Sequence, residues 1–446
     1  MNTKIFSKTD LRRLIVPLLL EQALAITVGM ADTMMISSAG EAAVSGVSLI
    51  DMFNNLVISV LAALATGGAV VTSQYLGAGK PKDACRSASQ LIYSSVLITI
   101  GISALVMLFC NGIISLFFGK IEADVFQNAV IYMLISALSY PFLALYNSCA
   151  ALFRSMGNSK ITLKVSILMN IINIVGNAVG VFVLHLGVAG VALPSLLSRA
   201  VAGFLLYALL HNEKNEIHLI KERFRLEWSV IRKILYIGIP SGIENGIFQL
   251  GRVIVVSIIA GFGTIQIAAN GVANSLDSMG SIVGQAMNLA MITVIGRCVG
   301  AGDGEQVKYY TKKLLSITYL YTAVVNCIII LCLPWILKLY GLGQETTELS
   351  YILVLMHNGM AMFLWPLSFV LPNMLRACND VRFTMVLSIF SMFVFRIGFS
   401  YIIGVNLGYG AIGVWIAMIM DWIFRVICFL LRYASGHWKV TAGLAR

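Results

Sequence analysis

Polar residues in this chain gather into short clusters between long apolar runs, and the spacing of the clusters predicts membrane-spanning helices. An apolar run of about 20 residues is long enough to cross a hydrocarbon core as a helix. Such runs place spans at 14–37, 46–74, 89–112, 125–150, 165–185, 188–210, 234–260, 266–295, 314–337, 348–374, 384–404 and 409–431. The reading is an all-α integral membrane protein with twelve transmembrane helices. One long polar stretch, 211–233 (HNEKNEIHLIKERFRLEWSVIRK), separates residues 1–210 from 234–446, with six spans on either side. It reads as a cytoplasmic linker, partly an interfacial helix through Phe224, Leu226 and Trp228.

The two halves repeat. Val71–Gly79 (VTSQYLGAG) matches Val294–Gly302 (VIGRCVGAG), a numbering offset of 223. Pro17, Glu21 and Gly40 meet Pro240, Glu244 and Gly263 at the same offset, and Gly190-Val191 meets Gly413-Val414. Arg154 and Thr162 meet Arg376 and Thr384 at 222. A register shared across so many places marks a duplication. Six spans per half is an even number, so both halves begin on the same side: a parallel repeat of two six-helix lobes around a central cleft. The glycines of the repeated turn permit a tight reversal between helices. The turn lacks the GxxxxGK[ST] pattern and a preceding strand, so it is not a phosphate loop.

Composition agrees with the spans. Of 446 residues, 59% are hydrophobic and 11% charged, which excludes a soluble protein. The formal charge of +11 is explained by topology rather than by nucleic acid. With the N-terminus inside, 25 of the 31 Lys and Arg, among them Lys221 and Arg223, fall on cytoplasmic segments, and only Lys120 and Lys338 outside. That asymmetry puts both termini in the cytoplasm and the protein in the inner or plasma membrane as a multi-pass chain. The first run is too long for a signal peptide. None of the eight cysteines falls on an outer loop, and no Cys/His spacing suggests a metal site. The histidines (185, 211, 218, 357, 437) are scattered and no nucleophile–base set stands out, so an enzyme is not expected.

The charges inside the spans carry the chemistry. Glu21 and Asp32 share the first span; eleven residues at about 100° each bring them onto one helix face, roughly 16 Å apart. A carboxylate in hydrocarbon costs roughly 2.5–3.5 kcal/mol, so the pair implies a polar cavity or partners. Asp32, in the outer third of its span, can hold Na⁺ or H⁺, or a structural hydrogen bond. Asn170, Asn173 and Asn177 recur at i, i+3 and i+7 on one face. With Asp32 they offer one anion and several neutral oxygens, a set that suits a hard cation, although interhelical amide bonding is an equal alternative. Glu21 serves as a second cation or substrate group or as the partner of Arg199. Glu244 attracts substrate or is neutralised by Arg252 or Arg396. Glu244, Arg252, Asp277, Arg396, Asp421 and Arg425, three acids and three bases, read as a balanced internal network, with Asp421 and Arg425 able to pair at i, i+4. The first half, with Glu21, Asp32 and Asp51 against Arg199, is acidic inside; Asp51 sits near a span end where it reaches water. Pro17, Pro141, Pro194, Pro240, Pro366 and Pro372 lie within or at the ends of spans, where kinks serve gating. The 20 methionines and 22 phenylalanines supply adaptable surface for flat substrates.

The repeated GAG turn, MADTMM in the first span, RSMGNSK after the fourth, ILMNIINIVGN, LGVAGVALPSLLSR and GIPSGIENGIFQLG together resemble the multidrug and toxic compound extrusion (MATE) family along nearly the whole chain. The resemblance implies a V of two lobes and a secondary antiporter that exports amphipathic cationic drugs in exchange for H⁺ or Na⁺ by alternating access. It implies no cofactor beyond the coupling ion, small organic molecules and the bilayer as partners, and a monomer that binds no nucleic acid. Asp32 matches the amino-lobe cation residue of the family, with Na⁺ as one candidate there. Asn173 and Asn177 match a fifth-helix pair whose second member is Asp in some relatives. The carboxyl-lobe sodium site of one branch is not matched, since its acids fall at Phe248 and near Trp365. Sister families of the same fold flip lipid-linked oligosaccharides, which is the alternative function.

Overall fold

The computed structural model describes residues 4–37, 40–119, 121–219 and 225–445. Lys120, Lys221, Arg223 and Phe224, which enter the charge and linker readings, lie outside the described residues. Among those described there is no strand, and twelve helical stretches are long and apolar enough to cross a membrane. The helices are α1 Lys8–Ser37, α2 Glu41–Gly77, α3 Pro81–Leu108, a short α4 Cys110–Phe118, α5 Ala123–Ser155, α6 Ser159–Ala178 and α7 Ala189–Leu209. The second half holds α8 Trp228–Ala260, α9 Thr264–Gly280, α10 Ile282–Gly300, α11 Gly304–Tyr340, α12 Gln344–Trp365, α13 Leu371–Ala377, α14 Val381–Ser391, α15 Gly410–Ala434 and a short α16 His437–Thr441. Wider π turns extend α6 through Val179–Val183, join α12 to α13 through Pro366–Val370, and continue α14 through Met392–Gly398 and Ser400–Asn406.

The repeat governs where helices begin and end. Glu41–Gly77 maps onto Thr264–Gly300 at 223, although the second copy is broken at Ser281 into α9 and α10, so the span expected at 266–295 is two helices. The turns map too. Gly40 and Gly263 have φ of 102° and 101°, and Gly79 and Gly302 have 68° and 72°, values that favour glycine because a Cβ would crowd the backbone. The register changes from 222 at Thr384 to 223 at Gly413, and the π turns of Met392–Gly398 lie in that interval. A π turn accommodates one extra residue in an otherwise α-helical path.

Two compact units divide the chain: Ser7–Gly242, and Ile243–Arg446 together with the first residues. The division falls inside α8. Residues 228–242 pack with the first unit, where a Cβ on Gly67 would lie 2.5 Å from the carbonyl of Ile234 and 2.8 Å from the nitrogen of Gly238. The N-terminal segment belongs to the second unit. The Phe6 N–H donates to the Tyr310 hydroxyl (2.9 Å), which donates back to the Phe6 carbonyl (2.7 Å). One residue later, Ser7 and Asp10 cap α1 reciprocally, each backbone N–H meeting the other's side-chain oxygen at 2.9 and 3.1 Å.

The described part of 211–227 contains no helix; Leu226 precedes α8, and Trp228 is its first residue, ahead of the span expected from 234. This segment is tied to α3: Gln90 donates to the Arg225 carbonyl (2.8 Å) and accepts from the Glu227 N–H (2.9 Å), while Arg86 pairs with Glu227 at 3.2 Å. Pro17, Pro141, Pro194 and Pro240 are inside helices, and so is Pro334 of α11, a further proline within a span. All eight cysteines are free thiols.

Candidate functional site

Each half buries one glutamate in its first long helix, and in both copies the partner is the arginine near the end of the fourth span. Glu21 Oε1 lies 2.9 Å from Arg154 Nη2, and Thr162 Oγ1 donates to Glu21 Oε2 at 3.2 Å. Glu244 Oε2 lies 2.7 Å from Arg376 Nη2, with Arg425 Nη2 3.9 Å from its other oxygen. These distances correct three pairings read from sequence. Glu21 pairs with Arg154 and not Arg199, whose Nη1 instead donates to Ser139 Oγ at 2.6 Å. Glu244 pairs with Arg376 and Arg425 rather than Arg252 or Arg396. Asp421 accepts from Ser391 and faces Arg396 at 3.8 Å, while Arg425 turns to Glu244. Both glutamates are buried, and their equivalence is visible in the repeat, whereas their arginines emerge only in the packed structure.

Farther along α1, Asp32 meets the fifth span. α1 and α6 run side by side in the same direction, so that Glu21 reaches Thr162 near the start of α6 and Asp32 reaches Asn177 near its end. Asn177 Nδ2 donates to Asp32 Oδ1 at 2.7 Å and also lies 3.3 Å from Asn173 Oδ1. Asn173 Nδ2 donates to Ser195 Oγ of α7 at 2.9 Å. Asn170 shares the face but bonds only loosely to Ser166, at 3.5 Å. The Asn177 Oδ1 is buried and accepts no hydrogen bond from the described residues, an uncommon state for a buried polar atom.

Asp51 belongs to the same neighbourhood. Its expected contact with water is replaced by protein donors: the Tyr132 hydroxyl at 2.9 Å and Asn54 Nδ2 at 3.4 Å. Asn54 accepts from the Tyr140 hydroxyl at 2.6 Å and donates to Ser136 at 3.2 Å. Asp51 and Arg199 are both within electrostatic reach of Asp32. With Glu21 and Arg154 neutralising each other, two aspartates face one arginine here. A signal for this cluster was present in the sequence, since Asp51 and Asn54 are i, i+3 on α2.

In the second half, Asp277 Oδ1 lies 3.0 Å from Nε2 of the buried His357, whose ring stands edge-on to Trp415 and Trp422 at 5.2 and 4.9 Å between centroids. Nothing in the sequence joins this histidine to its partner, because the two sit on α12 and α9, far apart in the chain.

Twelve spans in two repeated halves, each with buried charge in its interior, mark a polytopic membrane protein. The family profile of MatE matches twice, over residues 17–179 and 240–402, so the two matches share the numbering offset of 223. The chain belongs to the MatE family. It is 28% identical over 437 residues to the uncharacterized transporter YisQ of Bacillus subtilis, covering 96% of this chain and 94% of that one. It is 26% identical to the probable multidrug resistance protein NorM of Thermotoga maritima, covering 98% and 95%. A crystal structure of MATE in the bent conformation superposes with a TM-score of 0.88 over 98% of this chain and 97% of that one, at 19% identity, a likeness of fold.

Proposed function

We propose that this protein is a secondary antiporter that exports amphipathic organic compounds, cationic drugs among them, and that its coupling ion binds at Asp32. The observation that carries the reading is the Asp32–Asn177 contact at 2.7 Å beside an Asn177 carbonyl oxygen left without a donor. A buried acceptor of that kind is satisfied by a cation. For Na⁺ the ligands would be Asp32 with the carbonyl oxygens of Asn177 and Asn173, a hard oxygen set. For H⁺ the site would be Asp32 itself, with Asn177 holding the carboxyl in place. The surplus of Asp32 and Asp51 over Arg199 favours positive charge in either case.

Coupling requires that the ion and the exported compound prefer different states of the carrier, so that binding of one shifts the population away from the other. The name of the Thermotoga relative supports a drug as cargo, and the distribution of Lys and Arg supports cytoplasmic termini. The test is ethidium efflux from proteoliposomes, driven in turn by a sodium gradient and a proton gradient. Asp32→Asn is expected to abolish gradient-driven efflux while the protein still inserts and remains monodisperse. Undiminished efflux by that variant would remove Asp32 from the mechanism.

A further inference from the structure

At the numbering offset of 223, four positions in and beside the Asp32 cluster have second-half counterparts that replace acids by neutral residues and neutral residues by bases, while Asn54 maps to Asp277 and Arg199 to Trp422. Asp32 corresponds to Val255, Asp51 to Asn274, Asn173 to Arg396 and Gly29 to Arg252. Those four positions line one small, open cavity of about 40 Å³ within the second unit, together with Asn270 and Trp415. Where the first half presents two carboxylates, this place presents two guanidinium groups and two amides.

We infer that this cavity is a binding site for the anionic group of an amphipathic organic compound, a carboxylate or a similar oxyanion on an aromatic body. Arg252 is exposed and forms no ion pair among the described residues. Arg396 is largely buried; its contact with Asp421 is long at 3.8 Å, and its Nε is a buried donor without an acceptor. Buried guanidinium N–H groups are ordinarily satisfied, and a planar oxyanion offers the acceptor geometry that they fit. Asn270 already accepts from the Trp415 indole at 2.9 Å, which leaves its amide N–H₂ to donate. Of the nearby acids, Asp277 is held by His357, and Asp421 accepts from Ser391 and reaches Arg396 only at 3.8 Å. Trp415 and Val255 supply the apolar wall against which a ring would lie.

This inference deepens the transport reading by naming a substrate chemistry, and it rests on that reading only for the claim that the ligand is carried across. The experiment is equilibrium binding of 2-naphthoate and of its uncharged isostere 2-naphthamide to the full-length protein in nanodiscs, with empty nanodiscs subtracted. Naphthoate is expected to bind at least about tenfold more tightly than the amide, the scale of a charge-assisted hydrogen bond. Arg252→Gln should reduce that preference to none, and Arg252→Lys should keep most of it. Val255→Asp, which installs the residue of the first half, should abolish naphthoate binding with both arginines intact. Equal binding of acid and amide to the wild type, or an unchanged preference in Arg252→Gln, overturns the site. An Arg252-dependent preference in a protein without ion-driven ethidium efflux supports the site and overturns the transport reading instead.

Discussion

At the repeat offset of 223, Asp32 stands where the second half has Val255, while Glu21 stands where it has Glu244. The two positions share one helix, yet duplication has treated them differently. The glutamate keeps its arginine in both copies, at 2.9 Å from Arg154 and 2.7 Å from Arg376. The aspartate has no counterpart. Setting those ion pairs aside, the first half retains Asp32 and Asp51 against Arg199, and the second retains Arg252, Arg396 and Arg425 against Asp277 and Asp421. One frame thus carries two interiors of opposite residual charge. The duplicated pairs hold helices together, and the halves differ in charge at the positions that diverged.

The most direct way to break this comparison is to break the frame. Removing one partner of a buried pair leaves an uncompensated charge, which costs about 3–5 kcal/mol. Arg154→Ala should therefore lower the thermal unfolding midpoint of the detergent-solubilised protein substantially, and Arg376→Ala by less, because Arg425 still lies 3.9 Å from Glu244. Arg199→Ala, which loses a hydrogen bond to Ser139 and no close ion pair, should lower it less. Equal effects of Arg154→Ala and Arg199→Ala would mean that the frame is not what the distances indicate.

A smaller effect sharpens the likeness of the helix crossings. A Cβ on Gly180 would lie 2.4 Å from the Gly190 carbonyl oxygen, whereas one on Gly404 would meet the Val414 side chain at 3.0 Å and backbone, the Gly410 carbonyl oxygen, only at 3.2 Å. Backbone cannot yield as a side chain can, so Gly180→Ala should cost about 1–3 kcal/mol and Gly404→Ala less, both measurable by the same unfolding transition. The smallest expected effect lies at a turn where the copies differ. Asp303 caps α11 by accepting from the N–H groups of Glu305 and Gln306 at 3.1 and 3.0 Å; Lys80, its counterpart before α3, makes no such bond. Asp303→Ala should destabilise by about 1 kcal/mol, and Lys80→Asp should stabilise by a similar amount.

Much of this was readable from residue order. Span positions followed from runs of apolar residues, because a bilayer imposes a minimum length on any helix that crosses it. The duplication followed from matching motifs, and it carried over to helix ends and to glycine turns such as Gly40 and Gly263. Asp32 and Asn177 stand out separately in the sequence, and they meet. The pairings were less legible. Location within spans matches Glu21 to Arg199, although the parallel offsets of Glu21 with Glu244 and Arg154 with Arg376 already held the better answer. Asp277 and His357 had no signal at all, being far apart in the chain and unalike in their surroundings.

By itself, then, the sequence determined the number and length of the spans, the twofold repetition and the face on which each polar residue lies. Those depend on helix geometry and on the cost of exposing polar groups to hydrocarbon, both of which act locally along the chain. Only the tertiary structure decided that α1 lies along α6, that Arg154 reaches Glu21, and that Asp51 is held by Tyr132 beside Asp32. It also decided that Arg252 and Arg396 line one cavity. Contacts between helices depend on which faces pack and at what height, and periodicity within a single helix contains no information about its neighbour.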